Sequence, residues 1–271
     1  TVPAVIFSPW SNSGGSIVGP PIQQQEATPN NASTGWVADP VNVVFGNYIH
    51  EYTDLSIPAR GFDLAFVRSY NSVLTDNGPL GPGWTHNLNV TARPGSTVNT
   101  VIVQREDGQK LVYTDAGNGA YLAPPGYYDI LNKVGDHFVL RRHDQAMYTF
   151  SADGALAALD DGKGNVLTLT YVSGKLTSVT EPTGRQLTFL YNGNLLVQVT
   201  DPANRSVNFT YAAGRLASVI DVGGFNTSYT YDGNGFLQSI TDANGHTFVR
   251  NTYDGGGRVL QQRDAENNVT T

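Results

Sequence analysis

A chain of 271 residues with 39% hydrophobic and 14% charged side chains can bury a core and falls outside the disordered class. It has no cysteine, which excludes disulfides, thiolate nucleophiles and Cys-ligated metal. Its net charge of −7 comes without a basic run, which argues against nucleic acid or an anionic membrane as a partner, and no apolar stretch reaches the about eighteen residues of a membrane span. Thirty Gly and 14 Pro beside 14 Tyr and 11 Phe are what many short strands and turns require.

Residues 1–38 are rich in Pro, Gly, Ser, Asn and Gln and read as an extension. Their one apolar patch, "TVPAVIF", makes Val2, Val5, Ile6 and Phe7 a candidate donor strand. The opening residue is Thr1, which reads as a processed or excised piece. From Asp39 to Ala146 and Met147 the texture changes to alternating segments broken at Gly, Pro and Asp-Gly, such as "VIVQREDGQKLVYT" and "HFVLRRHDQAMYTF". These predict a strand-rich domain over 39–147, with Trp84 in "GPGWTH" as its core anchor.

The segment 148–271 is a repeat. Phe150, Tyr171, Tyr191, Tyr211, Tyr231 and Tyr253 are spaced by 21, 20, 20, 20 and 22 residues. An acid follows each by ten or eleven positions: Asp161, Glu181, Asp201, Asp221, Asp242 and Asp264. Within "YVSGKLTSVTEPTGRQLTFL", period-two alternation bracketed by two turns predicts two strands per unit, paired as successive hairpins. The acids read as turn residues that bond the backbone, and the tyrosines as strand-end rings covering the neighbouring unit. About six units give about twelve strands, a sheet roughly 58 Å wide that right-handed twist must coil. Such a sheet makes at most about one turn of a wide coil, and its inner face must be filled or shared.

At "DPVNVVFGNY", "ARGFDLAFVRSYNS" and "GPLGPGWTHN" the chain resembles the N-terminal conserved region of Rhs proteins, and its tyrosine-aspartate units resemble Rhs or YD repeats. The family includes bacterial Rhs toxins, wall-associated polymorphic toxins, the B and C components of insecticidal toxin complexes, and the teneurins. The resemblance implies a β-sheet wound into a hollow shell that encloses a C-terminal toxin or presents a receptor-binding surface. The family's aspartate self-cleavage motifs are not matched at Asp39-Pro40 or Asp201-Pro202, so no protease residues carry over. The sequence stops inside a unit at "DAENNVTT", which predicts an open sheet edge. That edge would pair with the remainder of a longer chain or with a strand donated by another copy.

Little else in the sequence suggests chemistry. The histidines His50, His86, His137, His143 and His246 form no metal pattern: "HEYTD" lacks the second His of a zinc-protease helix. "YDGNGF" and "YDGGGR" are turn glycines and not nucleotide loops, and "DDGKGN" lacks the distal Glu of a calcium loop. The carboxylate pairs Glu51/Asp54, Glu106/Asp107 and Asp160/Asp161 read as solvated turns and strand ends rather than a glycosidase dyad. Trp36, Trp84 and the tyrosines could stack on sugars, although aromatics in β-rich chains usually pack the sheet. Six Asn-x-Ser/Thr sequons, at Asn31, Asn89, Asn204, Asn208, Asn226 and Asn268, permit export. The expectation is therefore an all-β, non-enzymatic, extracellular or cell-surface scaffold that needs no cofactor and contacts neither nucleic acid nor the membrane interior. It would serve as a toxin-enclosing shell segment or a self-assembling subunit. The alternative is a carbohydrate- or receptor-binding module.

Overall fold

A computed structural model describes residues 36–37, 41–42, 46–74 and 76–271, and every regular element among them is a strand. The candidate donor strand of Val2, Val5, Ile6 and Phe7 lies outside the described residues. The chain is all-β, as its composition and alternation predict.

One antiparallel sheet of nineteen strands runs from Thr91–Pro94 to Val269–Thr270, each strand paired with its neighbour in sequence. The sheet passes through residue 147 without a break: His137–Arg141, Met147–Phe150 and Leu156–Asp160 are successive neighbours in it. The strand-rich segment 39–147 therefore divides near residue 90. Its second part joins the repeat sheet, and its first part forms a separate three-stranded sheet of Ile49–Ile57, Leu64–Asn71 and Trp84–His86.

The large sheet closes on itself, but not through its two terminal strands, which share no ladder among the described residues. Thr91 instead bridges to Ala155, next to the eighth strand, Leu156–Asp160. Ala92 N–H donates to the Gly154 carbonyl at 2.9 Å and Leu156 N–H to the Val90 carbonyl at 3.2 Å. The first edge strand is thereby covered, removing the unpaired groups that make edges adhesive. The repeats continue beyond this seal strand by strand from Val166–Val172 to Val269–Thr270.

Four successive repeats present an apolar inner pair to the concave side: Leu169 opposite Val179, Phe189 opposite Val199, Phe209 opposite Val219 and Tyr229 opposite Ile240, all buried. The small sheet fills that side as a plug. Its central strand, Leu64–Asn71, is buried along its whole length, as befits a strand covered on both faces. Phe66 meets Phe189 and Phe209 edge-on at 5.9 Å, and Trp84, fully buried, meets Tyr229 at 5.1 Å. Such edge-to-face pairs add to the area term of about 25 cal/mol per Å² buried.

Candidate functional site: the line where plug and repeats meet

The contact line begins with a β-bulge. In each hairpin the register slips just before the tyrosine, between Thr170 and Tyr171, Leu190 and Tyr191, Thr210 and Tyr211, Thr230 and Tyr231, and Thr252 and Tyr253. A bulge turns local backbone groups out of the ladder, and here they belong to the inner residue that opens the next strand. The plug and its flanks take up the amides. Leu196 N–H donates to the Pro79 carbonyl at 2.8 Å, Leu237 N–H to the Tyr70 hydroxyl at 2.9 Å, and Val259 N–H to the Gly46 carbonyl at 2.7 Å. The tyrosines take up the carbonyls. Tyr211 donates its hydroxyl to Leu196 O at 2.5 Å, Tyr231 to Leu216 O at 2.7 Å and Tyr253 to Leu237 O at 2.8 Å. Each ring thus reaches back one unit, and burial raises the hydroxyl pKa along the column, to about 12 for Tyr191.

The six repeat aromatics differ in depth. Phe150 is buried, while Tyr171, Tyr191, Tyr211, Tyr231 and Tyr253 are half-buried against the core. Lys175 and Arg215 lie over Tyr191 and Tyr231 at 5.9 and 5.5 Å, covering ring faces that a sugar would need. Three hydroxyls and two ring faces of this ladder are thus taken up within the chain.

The acids stand at the opposite ends of the hairpins. Asp161, Glu181, Asp201, Asp221, Asp242 and Asp264 each accept backbone N–H groups from the second and fourth residues onward, as Asp221 does from Gly223 at 2.8 Å and Phe225 at 2.9 Å. The third residue onward has positive φ, filled by Gly224 (φ 81) after Asp221 and Gly245 (φ 82) after Asp242. This is a three-residue loop closed by a bulge, whose geometry selects Gly or Asn. Glu181 is the most tightly held. Burial opposes its ionisation, but the hydroxyl and N–H of Thr183 and the Arg185 side chain bring it down to about 2. Asp232 and Asp254, directly after Tyr231 and Tyr253, build the same loop. The sequence signal was "YDGNG" and "YDGGG", read for its glycines alone.

Two polar clusters lie in the interior. In the plug, Arg68 Nε donates to Asp54 Oδ2 at 2.6 Å with both side chains excluded from solvent. Its guanidinium also donates to the Tyr229 hydroxyl at 2.5 Å and lies 4.9 Å from the Tyr52 ring centroid. Burial raises the Asp54 pKa and the Arg68 charge opposes the rise. In the sealed ring, Glu106 accepts from Arg142 at 2.6 Å and from the Tyr148 hydroxyl at 2.7 Å. Burial opposes Glu106 ionisation, while Arg142 and Arg105 outweigh it and hold the carboxyl low. Glu51 faces this cluster from the plug, and burial followed by the charges of Asp107 and Glu106 pushes it up to about 8.

The sequence places these carboxylates at solvated ends, whereas Glu51, Asp54 and Asp107 are buried and Glu106 is partly so; plug packing puts them there, which local pattern does not reveal. Only Asp160/Asp161 is a partly exposed turn pair, with Asp160 accepting from Gly162 N–H at 2.8 Å. Among the histidines, burial depresses His50 and His86 to about 3 and keeps them neutral. His143 and His246 are exposed, His137 is partly so, and no group of metal-ligating side chains occurs among the described residues. No helix of the described residues is long and apolar enough to cross a membrane.

The family match fits this architecture. Residues 130–270 match the Teneurin YD-shell family, and residues 38–113 match a domain of unknown function, DUF6531. The chain belongs to the Rhs/YD-repeat family. Two curated relatives are 31% identical over 172 residues, or 63% of this chain: the tRNA3(Ser)-specific nuclease WapA of Bacillus spizizenii and the tRNA nuclease WapA of Bacillus subtilis. The chain spans 7% of the length of each. The TcdB2-TccC3 crystal structure lacking its hypervariable C-terminal region aligns with 90% of this chain and 16% of its own, at a TM-score of 0.35 and 10% identity. The Photorhabdus luminescens Tc holotoxin pore aligns with 79% and 14%, at 0.35 and 14% identity. As a YD-shell segment, the chain is a structural scaffold.

Proposed function

We propose that this chain is a non-enzymatic, exported wall segment of a hollow YD shell, and that the shell encloses a toxic polypeptide. The observation that carries the reading is the contact line itself. The hydroxyls of Tyr211, Tyr231 and Tyr253 and the amides of Leu196, Leu237 and Val259, which could face a ligand, are bonded to the neighbouring unit or to the plug and its flanks. A surface so committed works as a wall with one side filled, and the plug acts as its internal stopper. The nuclease names of the relatives suit an enclosed cargo, with activity carried elsewhere in those much longer proteins.

Electron microscopy of the full-length protein tests the proposal. The expected result is a closed particle in which Trp84 and the plug face inward and block one opening, with a protease-resistant fragment inside. An open, flat or empty assembly would overturn it. Specific retention on a glycan array that is lost in Tyr211→Ala would favour the carbohydrate-binding alternative.

A further inference from the structure

The outer face of the repeats carries a second regularity. The cross-strand pair there is neutral in four successive units: Thr168 faces Thr180, Thr188 faces Thr200, Asn208 faces Ile220 and Ser228 faces Thr241. In the next unit both members change together, to Arg250 opposite Arg263. Like charges placed directly opposite destabilise an antiparallel pair, so strand pairing does not account for the choice.

Other arginines of the repeats are tied down within the chain. Arg185 pairs with Glu181 at 3.0 Å, Arg205 with Asp201 at 2.7 Å and Arg258 with Asp254 at 3.7 Å, while Arg215 donates to the Gly235 carbonyl at 2.8 Å. Among the described residues neither Arg250 nor Arg263 has a carboxylate partner, and Arg250 meets Asn267 Oδ1 at 3.4 Å. Both line an open groove of about 280 Å³ together with the amides of Gln238 and Gln261 and the hydroxyls of Ser239 and Thr252. Behind them the inner pair has also changed. Asn251 and Gln262 replace the aromatic or aliphatic pair of the earlier units and are joined by a 3.0 Å hydrogen bond between buried side chains. This unit departs from the repeat on both faces while keeping its turns and its tyrosine.

We propose that Arg250 and Arg263 form a binding site for a tetrahedral oxyanion, a phosphate or sulfate group. One guanidinium fork satisfies one carboxylate. Two forks on adjacent strands suit a more highly charged group with oxygens directed to both, and the amides of Gln238 and Gln261 and the Thr252 hydroxyl supply further donors. An anion bound between the arginines also relieves their repulsion, so the binding site and the anomalous pair have one explanation.

The test titrates the complete chain with inorganic phosphate at constant ionic strength, reading equilibrium binding and Tm. The expected result is one site, a Tm that rises with phosphate by mass action, and a dissociation constant weakened about tenfold or more in R250Q and in R263Q, since each removes charge-assisted hydrogen bonds to the anion. R263E should raise Tm without phosphate, by pairing with Arg250, and should lose the phosphate response. Sulfate run in parallel tells the two ester sources apart. Phosphate binding that is absent, or equal in wild type, R250Q and R263Q, would overturn the site. A succinate response equal to that of phosphate would overturn the tetrahedral assignment.

Discussion

The plug and the repeats build opposite sides of one interior by different means. The repeats use one pair of inner residues, one bulge and one acid-headed loop again and again, so each unit is stabilised by its neighbours about twenty residues away. The plug uses contacts made once: Arg68 with Asp54 and Tyr229, Trp84 Nε1 with the Tyr231 hydroxyl at 2.9 Å, and the Ser72 hydroxyl with the Gly257 carbonyl at 2.6 Å. Periodic stabilisation is additive and tolerant, because each repeat rests on nearest-neighbour terms. One-off stabilisation is concentrated, so a single loss removes a larger share.

Substitutions can break this contrast. The largest effect belongs to Arg68→Ala, which strands Asp54 in a dry interior; losing one partner of a buried pair costs about 3–5 kcal/mol. Urea unfolding should show it, and a change below about 1 kcal/mol would mean that the plug holds by apolar contact alone. Tyr211→Ala should cost less, about 2–3 kcal/mol, because the ring is half-buried where a fully buried aromatic costs about 3–5. Tyr211→Phe isolates the hydroxyl bond to Leu196 at about 1 kcal/mol. Gly245→Val puts a β-branched residue at φ 82 with open space around its Cβ, so its cost is backbone strain of about 1–3 kcal/mol. Normal stability of that variant would place the loop in another register.

A change of pH sharpens the contrast without altering a side chain. Glu51 has a folded-state pKa of about 8 against an ordinary 4.5, so between these values the native state holds a proton that the unfolded chain has lost. Stability must then fall as pH rises through that window. His50 and His86, depressed from 6.5 to about 3, act in the other direction and withdraw stability as pH drops through that range. Glu51→Gln should flatten the alkaline slope and leave the acidic one in place, measured as the urea midpoint between about pH 3 and 9. An unchanged alkaline slope would show that Glu51 is ionised in the folded protein.

What could be read in the sequence follows the same division. The hairpins, the column from Phe150 to Tyr253 and the loop acids from Asp161 to Asp264 announce themselves because local geometry recurs at a fixed period. The plug could not be read this way. Nothing near "FDLAFVRSYNS" tells that Arg68 will meet Tyr229 across 161 residues, or that Tyr70 will accept the Leu237 amide across 167. The division near residue 90 was equally hidden, since strands on its two sides have the same alternation and differ only in which sheet receives them. The paired arginines at 250 and 263 were present in the repeat alignment, but they stand out only once pairing puts them side by side.

The seal between Thr91 and Ala155 has an architectural corollary. A cylinder fastened by its first and last staves has a girth fixed by their number, and any insertion springs it open. Here the fastening is made early, at the eighth strand, so later hairpins extend the wall as a spiral stair extends by treads. Each twenty-residue unit downstream adds to the length of the structure and leaves that joint as it is.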